Sequence, residues 1–91
     1  MSSSVSHHPD QHRFSIEIEG HTGVIDYMDR GEVWALTHTY VPAELRGQGI
    51  AVKLVEAAFG AARKAGVKID PQCSYVATYM QRDPETADLR V

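Results

Sequence analysis

Residues 32–66 read EVWALTHTYVPAELRGQGIAVKLVEAAFGAARKAG, and they divide at Pro42. Before it, residues 32–41 are rich in β-branched and aromatic side chains. Trp34, Leu36 and Tyr40 fall on one face and Val33, Ala35 and Val41 on the other, which predicts a central strand covered on both sides. Pro42 cannot donate to a ladder and ends it. Beyond the glycines, Ile50, Ala51, Leu54, Val55, Ala58, Ala61, Ala62 and Ala65 recur at spacings of three and four. Lys53, Glu56, Gly60, Arg63 and Lys64 take the opposite side, so the segment is an amphipathic helix packing on a sheet. Gly66 stands where a left-handed helix stop is expected. Gly47 and Gly49 lie just where the helix begins. A glycine costs about 1 kcal/mol against alanine inside a helix, so their presence asks for a close approach to that backbone.

Outward from this unit, Phe14, Ile16 and Ile18 alternate with Ser15, Glu17 and Glu19, the period of a half-buried strand. Gly20 and His21 are expected to turn the chain into a second strand over residues 22–28. Asp29, Arg30 and Gly31 then form a second hairpin connection. Downstream, residues 67–70 form a short strand, and Pro71-Gln72-Cys73 leads into a short helix over residues 74–81. Asp83-Pro84 stops that helix, and the last residues fray. The fold class is therefore α+β: an antiparallel three-strand meander, a long crossover helix, a short parallel fourth strand and a C-terminal short helix. Residues 1–12, MSSSVSHHPDQH, are polar and without apolar period, which predicts a flexible tail ahead of one domain at 13–91. His7, His8 and His12 read as incidental to that tail, since nothing fixes a metal geometry, and no metal is expected.

The chain has 91 residues, a net charge of -3 and 43% hydrophobic residues, which describes one small soluble domain. A domain of this size buries about 60–65% of its unfolded surface, so a monomer or a weak homodimer is expected. Arg and Lys are scattered among a larger number of acids, which sets nucleic acid aside as a partner. Cys73 is the single cysteine and excludes an internal disulfide. The first residues lack an apolar leader and no run is long enough for a membrane span, so the expected location is cytoplasmic, with no membrane partner.

A helix start leaves about four backbone N–H groups unpaired beside roughly half a positive charge, and so favours an anion. Taken alone, Gly-x-Gly there is a weak signal. A P-loop would need Gly-x-x-x-x-Gly-Lys-Ser/Thr, and a dinucleotide fingerprint would need a third glycine; neither is present. The string RGQGIA instead fits Arg/Gln-x-x-Gly-x-Gly/Ala at Arg46, Gly49 and Ala51. Together with HT-x-VP before it and P-x-CSYV after it, the chain over residues 14–85 resembles the GNAT acetyltransferase superfamily. It is similar above all to the very small single-domain members of that superfamily. The resemblance implies acetyl-coenzyme A as co-substrate, its pyrophosphate on the amides of Gly47, Gln48, Gly49, Ile50 and Ala51, with Arg46 adding charge. It further implies that Thr39, Tyr40 and Val41 flank the pantetheine arm, that Cys73 lies beside the thiol end, and that Tyr75 is close by. The partner is then an unidentified amine acceptor. Ordinary members are longer, with early helices that help form the acceptor site, and these are missing here. A non-catalytic module that binds coenzyme A or its acyl form is the alternative.

Acyl transfer needs a neutral amine, and a lysine with pKa about 10.4 is neutral in roughly one molecule in a few thousand at pH 7. A positioned base contributes about 10² to 10⁴. His38 is the candidate base, placed by strand alternation on the face of Leu36 and Tyr40; its simpler role is a packed sheet histidine. Cys73 precedes the last helix, whose dipole lowers a thiol pKa, and is the candidate acyl carrier. Its simpler role is that of a small buried residue. Tyr75 and Tyr79, four apart, share one face of that helix and either pack there or donate a proton to a departing thiolate. Trp34 reads as core.

Overall fold

The computed structural model describes residues 5–91. The alternation around Phe14 and Ile16 builds β2 (Arg13–Ile18), preceded by β1 (Ser6–His8) and followed by β3 (His21–Asp29). Glu19 and Gly20 join β2 to β3 with φ of 52° and 82°, the two-residue turn whose twist matches its strands. The turn thus falls one residue before the expected Gly20-His21, because Ile18 pairs with His21. At the next hairpin Asp29 Oδ1 accepts the Gly31 amide at 2.8 Å and the chain enters β4 (Val33–Tyr40). A 3₁₀ turn at Ala43–Leu45 leads to α1 (Ile50–Ala65). Gly66, with φ of 75°, closes α1: its amide reaches the Arg63 carbonyl while the Val67 amide reaches that of Ala62. Then come β5 (Lys68–Pro71) and α2 (Ser74–Arg82).

The sheet runs in the order β1-β2-β3-β4-β5, antiparallel except for the parallel β4–β5 pair that the crossover helix α1 permits. The α+β class and the crossover are as expected. The core joins Phe14, Ile16, Ile25 and Leu36 of the sheet to Leu54 and Val55 of α1, Ile69 of β5 and Val76 of α2. Gly23 lets α1 come close, since a Cβ there would touch Ile50 and Leu54 at 3.4 and 3.5 Å. On the same side, Tyr79 of α2 meets Phe59 of α1 edge-on at 5.6 Å.

Three expectations need correction. Residues 6–12 are built into the domain rather than forming a flexible tail; residues 1–4 lie outside the described residues. Ser6, His7 and His8 pair with Ser15, Phe14 and Arg13, and Pro9–Gln11 forms a 3₁₀ turn. His7 stacks on Phe14 with ring centroids 4.1 Å apart, and its Nε2 lies 2.7 Å from the Tyr27 hydroxyl. Burial, with a smaller effect of His8, holds the His7 pKa below its ordinary value. Nor does the C-terminus fray: Leu89 is buried, and Ile69 bonds the Leu89 carbonyl and the Val91 amide. Finally, β4 is not covered on both sides along its length. Trp34, Ala35 and Leu36 are buried in succession, but Thr37, His38 and Tyr40 are exposed. Both helices lie on one face of the sheet, while the other carries the Arg13–Asp26 ion pair at 2.6 Å beside exposed Glu17 and Met28. Among the described residues no helix is long and apolar enough to cross a membrane.

Candidate functional site

The site begins with an irregularity in β4. Tyr27 pairs with Leu36, yet Asp26 pairs with His38, so Thr37 is an extra residue and the strand bulges. One inserted residue reverses which face each later side chain takes. His38 therefore joins its partner Asp26 on the open face, with Tyr40 opposite Val24, and does not share the face of Leu36. Thr39, opposite Ile25, turns to the helix side instead. Pairing with β5 stops at the same level, at Leu36 and Pro71, where the Cys73 amide bonds the Leu36 carbonyl at 2.8 Å. From the bulge onward β4 and the chain beyond β5 diverge, which leaves one edge of β4 without a strand partner.

Cys73 sits in that divergence at the start of α2, half-buried, with its Sγ 3.5 Å from Thr39 Oγ1. Burial is the largest single influence on the thiol and pushes its pKa up. The Thr39 hydroxyl and the amides of Val76, Tyr75 and Thr39 together outweigh it, so the net shift is downward from the ordinary value. A hydroxyl can play both parts: it accepts from the thiol and, turned about, donates to the thiolate. No charged side chain is among these causes, so dipoles poise the thiol.

Val41 and Tyr75, each two residues along the chain from a member of this pair, line a groove of about 240 Å³ together with Leu45, Arg46, Gly47, Gly49, Ile50, Ala51 and Val52. Gly49 starts α1 with φ of 73° and no side-chain cap, so the first amides of the helix have no side-chain acceptor. A Cβ at Gly47 or Gly49 would meet nothing within 4 Å; the glycines serve left-handed backbone beside open space. Ile50 sends its side chain into the core and offers the site its backbone. Arg46 Nε donates to the Val41 carbonyl at 3.1 Å, which holds the guanidinium at the rim. Gln48 is occupied with the Glu44 carbonyl at 3.3 Å and does not line the groove. A second groove of about 340 Å³, lined by Val52, Tyr75, Thr78, Tyr79, Arg82 and Asp83, adjoins the first at Val52 and Tyr75, which line both.

The fold thus gathers Val41, Arg46, Gly47, Gly49, Ile50, Ala51 and Tyr75 in one groove and sets Thr39 against Cys73. His38 and Tyr40 stand on the other face of the sheet. Sequence reasoning missed Leu45, Val52, Thr78 and Arg82. The signal for two of them was available, since Tyr75, Thr78, Tyr79 and Arg82 repeat at i, i+3, i+4 and i+7. Among the described residues no group of three His, Cys, Asp or Glu side chains is placed to hold a metal ion. An anionic head at uncapped amides, an arginine on the rim and apolar walls suit a molecule that joins phosphates to a long, mostly uncharged arm.

Two comparisons with known proteins bear on the family of the chain. The solution structure of a GCN5-like protein from Staphylococcus aureus is similar to this chain with a TM-score of 0.76 and 25% identity, over 97% of this chain and 87% of the other. The family model of GCN5-related N-acetyl-transferases matches residues 13–89. The chain belongs to the GCN5-related N-acetyltransferase family.

Proposed function

We propose that this protein transfers an acetyl group from acetyl-coenzyme A to an amine, with the coenzyme seated along the groove at residues 46–51. The observation that carries the reading is the uncapped, glycine-led start of α1 opening into a groove whose lining residues Val41 and Tyr75 stand two residues along the chain from Thr39 and Cys73. The amides at the head of α1 and Arg46 hold the pyrophosphate; Val41, Leu45 and Tyr75 wall the arm; the unpaired edge of β4 at Thr39 and Tyr40, with the Val41 amide just beyond the strand, offers backbone groups to its amides. The coenzyme supplies an acyl thioester. Cys73, as thiolate, attacks the acyl carbon, forming an S–C bond as the coenzyme's S–C bond breaks, and the proton Cys73 gave up passes to the departing sulfur. The amine then attacks the acyl carbon on Cys73, and the amine's proton passes to the Cys73 sulfur as the S–C bond breaks; His38, on the opposite face of the sheet from Thr39, is not placed to take it.

Calorimetry with coenzyme A tests the donor site. Wild type binds and Arg46→Glu abolishes binding; silence in wild type, or unchanged binding in the variant, sinks the reading. Mass spectrometry after incubation with acetyl-coenzyme A tests the carrier: one acetyl group on Cys73 is expected. Turnover intact in Cys73→Ala would mean direct transfer instead.

A second reading is favoured by one observation. No described helix covers the sheet face that carries His38, so the acceptor has no enclosed pocket. On that reading the domain binds coenzyme A or an acyl form without transfer. Release of coenzyme A from acetyl-coenzyme A in the presence of an amine panel rejects it.

A further inference from the structure

We propose that Arg82 reads the 3′-phosphate of the coenzyme, making the second groove the seat of its adenosine end. This rests on the coenzyme reading of the first groove. Val52 and Tyr75 line both grooves, so a nucleotide whose pyrophosphate lies on the head of α1 finds in the second groove an adjoining path for its other end. Tyr75 and Tyr79 wall that path with rings on which a base can lie. Arg82 stands seven residues beyond Tyr75 on the same face of α2, about 10 Å along the axis, and lines the end of the groove.

The charge pattern selects Arg82. Arg13, Arg30 and Arg63 each hold a carboxylate, Asp26, Asp70 and Asp88 respectively. Among the described residues Arg46, Arg82 and Arg90 make no ion pair, and of these only Arg82 lines the second groove, although it adjoins Asp83. The Asp83 carboxylate also lines this groove, but its Oδ1 accepts the Glu85 amide at 3.1 Å. That carboxylate and the C-terminal end of α2 both disfavour a phosphate, so Arg82 is what turns the end of the groove from repulsive to attractive. A planar guanidinium suits a terminal phosphate better than an ammonium does.

The test is calorimetric titration of the whole chain with coenzyme A and with dephospho-coenzyme A, which lacks that one phosphate. Wild type should prefer coenzyme A by about five- to tenfold, a modest ratio because the site is exposed to solvent. Arg82→Ala should erase or reverse the preference while keeping the affinity for dephospho-coenzyme A and the melting temperature. Arg82→Lys should keep part of it. Equal affinities in wild type, or a preference that survives Arg82→Ala, would overturn the assignment while leaving the first groove as a coenzyme site. Failure of wild type to bind either compound would instead remove the coenzyme reading on which the assignment stands.

Discussion

Thr39 and Cys73 come from segments far apart in the chain, yet their side chains lie 3.5 Å apart. Because hydrogen bonds that favour the thiolate outweigh the effect of burial, the thiol ionises below its ordinary value of 9.0. The sign follows directly: removing a donor to the thiolate raises the pKa and lowers the thiolate fraction at neutral pH. In Thr39→Val the midpoint of the alkylation rate against pH, measured with iodoacetamide, should move up, and in Thr39→Ser it should stay low. A midpoint unmoved by Thr39→Val would assign the whole shift to the backbone amides. Cys73 was legible in the sequence from its place before a helix. Thr39's hydroxyl was not, because strict alternation gives His38 the face that Thr39 takes, and an inserted Thr37 leaves no local mark.

At the scale of elements, α1 is bounded by two glycines of like geometry and unlike duty. Gly49 and Gly66 have φ of 73° and 75°, where an L-residue costs about 1–2 kcal/mol. Alanine at either position should therefore lower stability by about 1 kcal/mol, read from denaturant midpoints. Coenzyme A affinity should fall only in Gly49→Ala, whose methyl enters the groove head; equal affinities in the two variants would reject that duty. The period of α1 and its glycine stop were plain in the sequence. The strand at Ser6–His8 was not, since its polar letters cover Phe14 and Tyr27 only once β2 and β3 are in register.

For the molecule as a whole, the C-terminal segment is structural. Leu89 is buried against the core, and Arg63 binds Asp88 through two nitrogens at 2.6 and 3.2 Å while Lys68 bonds the Asp88 carbonyl. Leu89→Ala should cost about 2 kcal/mol or more, a fall in melting temperature of roughly 10 °C for a domain of this size. A loss within a degree or two would mean that the segment is not part of the cooperative unit. With both helices on one face, the sheet leaves its other face, with His38, Tyr40 and Met28, to solvent.

By itself the sequence determined the strands from Phe14 to Tyr40, the helix after RGQGIA, its parallel return strand and the glycine-led start of that helix. Each depends on neighbours within a few residues, where alternation, helical period and glycine geometry act directly. The tertiary structure decided what depends on distant pairing: the bulge that exchanged His38 for Thr39, the edge pairing of Ser6–His8 and Leu89, and the adjacency of two grooves that share Val52 of α1 and Tyr75 of α2. Register between strands is settled by the fit of whole faces, and a single inserted residue reverses every side chain after it.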